Sequence, residues 1–186
     1  MEWNLQLSGF VDKPHAQLTD RGDLMIHEVS GDILFSKAQA IAHGISPNDP
    51  FEQGLARALR ERWPIMHKDY RHSAHQKHPK PGDLWEWGGF GVRIFNLITQ
   101  EGGFEHGDKP GRATLSHVEH CLKALHKKLI KDEITSVALP RLATGIGGLE
   151  WEDVRPLIHN YLGDLEIPVI LYATYHPGER PQEPGS

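Results

Sequence analysis

The chain has 186 residues, 38% hydrophobic and 24% charged, enough apolar content to pack the core of one domain. Its formal net charge of −5 excludes a global basic field for holding nucleic acid, and its single cysteine, Cys121, excludes a disulfide framework and a multi-cysteine zinc site. No apolar stretch is long enough to span a bilayer, and Met1-Glu2-Trp3-Asn4 lacks the regions of a signal peptide, so the expected location is the cytoplasm.

In chain order, Trp3, Leu5, Leu7 and Phe10 fit an extra edge strand within an N-terminal extension, 1–23. Leu24 to Val29 reads as a strand turned by Ser30-Gly31-Asp32, and Ala38 to His43 as a short buried strand. After the breakers Ser46-Pro47-Asn48-Asp49-Pro50, Phe51 to Trp63 reads as a helix, with Leu55, Leu59 and Trp63 at helical spacing and Pro64 interrupting it. Leu84–Trp87 and Val92–Ile98 flank Gly88-Gly89-Phe90-Gly91 as a hairpin. Glu101 to Gly111 is a polar loop. Leu115, Val118, Leu122, Leu125 and Leu129 then form one apolar stripe on a helix from Arg112 to Lys131. Ser136–Leu139 is a strand, Glu152–Ile158 a helix and Ile167–Tyr172 a closing strand. The segment 176–186, rich in Pro, Gly and charge, is expected to be a flexible tail. Alternating strands and helices predict an α/β fold in three layers, a mixed central sheet flanked by helices.

The segment Pro140 to Trp151 stands at a strand-to-helix junction and carries Gly145, Gly147 and Gly148. Three glycines in four positions exceed what a simple turn needs. They let the backbone approach a phosphate and aim N–H groups at it, so Ala143, Thr144, Gly145, Ile146, Gly147, Gly148 and Leu149 are candidate ligands of a nucleotide-like diphosphate. Asp32, with Ile33 behind it, ends a strand in a turn; its carboxylate can accept from an exocyclic amine or cap the turn. Ser46 lies beyond a buried strand, where a hydroxyl faces a ligand or caps the next turn. Gly54 and Leu55 open a helix, where a glycine costs up to ~1 kcal/mol and signals close backbone approach or close packing. Tyr175 is either a stacking aromatic or a rim residue. His67, His72, His75 and His78 fall in a Lys/Arg-rich segment with no carboxylate or cysteine pattern to complete a metal site, and read as a solvated basic face.

The joint order of Gly31-Asp32-Ile33-Leu34, Ala42-His43-Gly44-Ile45-Ser46 with Gly54-Leu55-Ala56, Asn96-Leu97-Ile98-Thr99 with Lys109-Pro110, and the glycine loop with Leu149-Glu150-Trp151-Glu152 resembles a macrodomain, the ADP-ribose-binding module, over residues 24–175. The branch most similar is that of terminal ADP-ribose protein glycohydrolase and the antitoxin macrodomains that remove ADP-ribose from DNA. The resemblance implies that Asp32 binds the adenine amine, that Ser46 lies near the distal ribose and that Tyr175 lies near adenine. It implies an ADP-ribosyl hydrolase acting on modified protein carboxylates or nucleic acid, with no cofactor, metal, membrane or stable nucleic-acid partner. A noncatalytic reader of ADP-ribosylation and an ADP-ribose 1″-phosphate phosphatase are the alternatives.

The protein-directed branch carries a Lys after its Leu-Ile-Thr strand and an Asp in the glycine loop; Gln100 and Gly147 stand there instead. Glutamine cannot form an imine and glycine supplies no acid or base. Ser46 and Gln100 are therefore the candidate catalytic positions, with a water held by the diphosphate, the loop backbone and Ser46. Lys109 is a possible substitute amine, and Glu101, His106 and Asp108 are loop groups available for proton transfer.

Overall fold

A computed structural model describes residues 25–105 and 107–185; the expected N-terminal edge strand and His106 lie outside them. The strands are β1 (Ile26–Gly31), β2 (Ala40–Ile45), β3 (Leu84–Gly89), β4 (Val92–Ile98), β5 (Val137–Pro140) and β6 (Val169–Tyr175). They form one six-stranded mixed sheet in the order β1-β6-β5-β2-β4-β3. Every pairing is parallel except β3 with β4. That hairpin turns at Phe90 and Gly91, whose φ angles of 53° and 79° are both positive, as a two-residue turn matched to strand twist requires.

The helices α1 (Gly54–Arg62) and α2 (Pro64–Lys77) belong to one face of the sheet, α3 (Leu115–Lys131) and α4 (Trp151–Leu162) to the other. The period of two along β2 divides the core. Ala40 and Ala42 join Phe95, Leu97, Val118, Leu122, Val154 and Ile158; Ile41 and Ile45 join Ile94, Ile98, Leu59, Met66 and Tyr70. The expected α/β three-layer architecture is the one observed. No helix among the described residues is long and apolar enough to cross a membrane.

Three local expectations change. The first helix starts at Gly54 rather than Phe51, because Phe51 is fully buried at φ 53°, outside the right-handed helical region. Pro64 starts a second helix, occupying its first turn, where a missing N–H costs nothing. Residues 72–77 of the basic segment are therefore helical, and His78 ends the helix in the left-handed region at φ 45°. The segment after β6, expected to fray, is seated on the β1 edge. The Asp32 N–H donates to Glu179 O (2.8 Å), the His176 N–H to Gly31 O (3.1 Å), and Glu183 is only 8% exposed.

Candidate functional site

Above the carboxyl ends of the central strands β2 and β5 lies a cleft in two chambers, the position where parallel α/β sheets open to ligands. The first, about 680 Å³, runs from His43 and Gly44 at the end of β2 to Asp108-Lys109-Pro110 and the glycine loop. The second, about 470 Å³, is walled by Ile33, Thr144 and the last residues of β6 from Tyr172 to Tyr175. Gly54, Leu55, Pro140 and Arg141 line both, which makes the cleft continuous.

The glycine loop is closed by its own backbone. Ala143 takes φ 60° and Gly148 φ 73°; Gly148 donates to Gly145 O (3.0 Å), Leu149 to Ala143 O (3.0 Å), and Gly147 O accepts from Ala113 (2.9 Å). Gly145, Ile146 and Gly147 line the first chamber, and their N–H groups meet no protein acceptor among the described residues. Three adjacent open donors form an anion-binding nest. Gly148 and Leu149 shape the loop rather than line the cleft, and the Thr144 hydroxyl donates to Arg141 O (3.0 Å). Gly147 is the position with least room: a Cβ there would stand 2.6 Å from Ala143 O.

Arg141 and Asp49, neither singled out in the sequence, complete the lining. Arg141 places its guanidinium 5.3 Å from the centroid of Trp151, which holds a positive group at the junction of the chambers. The signal for Arg141 was its place directly before the glycine loop. Asp49 is 8% exposed; its Oδ2 accepts from the N–H (3.0 Å) and hydroxyl (3.2 Å) of Ser46, and its Oδ1 from the Phe51 N–H (2.8 Å). Ser46, only 2% exposed, does not line the cleft. Its hydroxyl supports the Asp49 turn, so the expectation of a ribose-facing Ser46 gives way to the capping one.

Gln100 does line the first chamber, and its Nε2 donates to Gly111 O (2.9 Å), tying β4 to the returning loop. Asp108 lines it as well, and its Oδ2 accepts from the Glu105 N–H (3.0 Å). His43 is 1% exposed. Burial depresses its imidazole to about 4, against opposing effects of the Asn96 hydrogen bond and the Asp49 charge, so the ring is neutral.

Asp32 lines neither chamber. Its Oδ1 accepts from the Leu34 N–H (3.0 Å) and caps the 3-10 turn Ile33–Phe35, while its Oδ2 accepts from the Gly178 N–H (2.9 Å). Asp32 thus takes the turn-capping role weighed for it beside an adenine contact. Tyr175 lines the second chamber and is 54% exposed, open to a stacking partner. The histidines do not converge: His67 packs on Phe51 (4.9 Å between centroids), His78 on Phe104 (4.7 Å), and His72 meets Gln76.

The Macro domain family model matches residues 38–158. A Thermosipho africanus DNA ADP-ribosyl transferase–DNA ADP-ribosyl glycohydrolase fusion protein is 27% identical over 157 residues, 77% of this chain and 40% of that protein. The human ADP-ribose glycohydrolase OARD1 is 23% identical over 145 residues, 77% of this chain and 88% of that protein. The solved macrodomain of Thermus aquaticus DarG superposes with a TM-score of 0.70 at 25% identity, covering 80% of this chain and 98% of that one. The chain thus spans about two fifths of the Thermosipho relative's length.

Proposed function

The chain belongs to the Macro domain family, and from that premise we propose that residues 24–175 bind ADP-ribose and hydrolyse the bond joining it to a modified nucleobase or protein carboxylate. The observation that carries this reading is the continuous two-chamber cleft with the open N–H groups of Gly145, Ile146 and Gly147 at its middle. The length and polarity of that cleft suit a nucleoside diphosphate sugar. The diphosphate lies on the three N–H groups beside Arg141, the base enters the second chamber against Tyr175, and the distal ribose enters the first. The names of the Thermosipho and human relatives, both glycohydrolases, support the hydrolytic half. The protein acts in the cytoplasm without a cofactor.

Water attacks the anomeric carbon in this reading. The new C–O bond forms as the bond to the acceptor breaks, and the water's proton passes to a carboxylate of the lining. Of the three carboxylates lining the first chamber, Asp49 holds the turn of Ser46 and Phe51, Glu52 precedes α1, and Asp108 has one hydrogen bond, through Oδ2, among the described residues. Asp108, on the loop that also carries Lys109, is taken as the base in preference to Glu52; Lys109 beside it neutralises the departing group, and Gln100, anchored at Gly111, orients the ribose. Ser46 acts through Asp49 as a positioning residue.

Calorimetry with ADP-ribose against AMP tests the binding, and release of ADP-ribose from modified DNA and from modified protein tests the reaction. Absence of ADP-ribose binding at millimolar concentration overturns the reading. Gln100 and Gly147 favour a second one, a noncatalytic reader, because neither supplies an amine or a carboxylate. Tight binding with no turnover on either substrate selects it.

A further inference from the structure

The C-terminal segment after β6 is fastened to the domain at the end of the cleft expected to hold the base. The His176 N–H donates to Gly31 O (3.1 Å), Gly178 N–H to Asp32 Oδ2 (2.9 Å), and Glu179 O accepts from the Asp32 N–H (2.8 Å). Pro181 lies so close over Gly31 that a Cβ there would stand 3.0 Å from it. Arg180 covers the Phe35 ring with its guanidinium 5.5 Å from the centroid. The far end is anchored by the buried Glu183, whose carboxylate accepts from the Ser36 hydroxyl (2.5 Å), the Lys37 N–H (2.9 Å) and the Tyr172 hydroxyl (2.6 Å). Tyr172 itself lines the second chamber.

We propose that this strap sets the base specificity of the cleft by withdrawing Asp32 from the ligand. Gly178 presents to the carboxylate the same kind of donor that an exocyclic amine would present. With the strap seated, Arg141 is the one charged side chain lining the second chamber among the described residues, and it is a donor. A base bearing a carbonyl at its six position meets no carboxylate there, so the chamber accepts adenine and hypoxanthine alike, by shape and stacking. Releasing the strap uncovers Asp32, which accepts from an amine and repels a carbonyl oxygen. This inference rests on the ADP-ribose reading above.

The test is calorimetry of the full chain with ADP-ribose and with its hypoxanthine counterpart, repeated on a chain ending after Tyr175 and on the full-length Gly178→Pro variant. Gly178 has φ 74°, which proline cannot adopt, and proline removes the N–H that holds Asp32. The full-length variant keeps the comparison valid if the shortened chain fails to fold. The expected result is affinities within about threefold for the intact chain and a preference for ADP-ribose of about tenfold or more in the released forms. A tenfold preference already present in the intact chain, or none gained on release, overturns the inference while leaving the ADP-ribose reading standing. Binding of neither ligand by any form overturns both.

Discussion

His43 and Asn96 sit directly opposite one another on the adjacent parallel strands β2 and β4, with His43 Nε2 2.6 Å from Asn96 Oδ1. The Asn96 amide donates its Nδ2 hydrogen to Trp85 O (3.4 Å), which leaves Oδ1 as the acceptor and fixes the proton on His43 Nε2. A neutral polar pair thus crosses the sheet under the first chamber. Apolar residues there would close the core but leave the chamber floor without a hydrogen-bonding group.

This pair makes stability depend on pH. The His43 imidazole is held near 4 in the folded chain, below its ordinary 6.5, so the unfolded state binds its proton first as pH falls. Nothing is lost above pH 6.5, where both states are neutral. Between 6.5 and 4 the contribution declines by about 1.4 kcal/mol per pH unit and then levels off. Burial lowers His67 as well, in the same direction. Urea denaturation at pH 7 and 4.5 is expected to show a smaller loss in His43→Gln than in the parent chain. Parallel losses in the two proteins would mean that another group carries the acid sensitivity.

The glycines of the loop are not equivalent. A Cβ on Gly147 would meet Ala143 O at 2.6 Å and the Ala113 Cβ at 3.0 Å, whereas one on Gly145 would meet nothing within 4 Å. Gly147→Ala therefore forces the loop open, at a cost of about 1–3 kcal/mol, and spoils the row of N–H donors. Gly145→Ala leaves the loop's own packing intact. Thermal melts with ADP-ribose titrations are expected to separate them, the first variant losing stability and affinity together and the second keeping its stability. Equal behaviour would show that the cramped side of Gly147 does not control the loop.

Arg141 is expected to dominate the salt dependence of binding, since it lines both chambers and is propped by Trp151. Removing a charge-assisted contact to a diphosphate costs about 1.5–3 kcal/mol, so Arg141→Ala should weaken ADP-ribose by about tenfold or more. Arg141→Lys should recover only part, because an ammonium neither stacks on the indole nor forks around a phosphate. Affinities measured across a salt series check both. An alanine variant with unchanged affinity and unchanged salt slope would move the diphosphate away from this residue.

The glycine loop and the order of strands and helices were legible because both are local: turn chemistry and hydrophobic period are written within a dozen residues. The roles of Asp32 and Ser46 were less so. Asp32 is committed by Gly178, 146 positions away, and no local pattern announces that contact. Ser46 and Asp49 lie within one short turn, but which of the two faces the cleft depends on Phe51 adopting φ 53° and driving its ring into the core. Pro64 was read as a helix end by the rule that proline breaks helices, yet after Trp63 the same missing N–H suits a helix start. Arg141 was passed over because its partner Trp151 lies beyond the loop.

Asp108 carries the catalytic half of the proposal. Of the two aspartates lining the first chamber, Asp49 builds the turn after β2, and its loss should act through folding: Asp49→Ala leaves the buried donors of Ser46 and Phe51 without an acceptor. Asp108 is exposed and, among the described residues, bonded to the Glu105 N–H alone, through one oxygen. Asp108→Asn preserves size and hydrogen bonding while removing the base, so binding of ADP-ribose and thermal stability should persist while turnover falls. General acid–base help is worth roughly 10²–10⁴-fold in rate, and a loss of at least the lower figure is expected in release of ADP-ribose from modified DNA or protein. Turnover that survives Asp108→Asn would assign the proton transfer elsewhere in the cleft, with His43, already neutral at pH 7, as the next group to test.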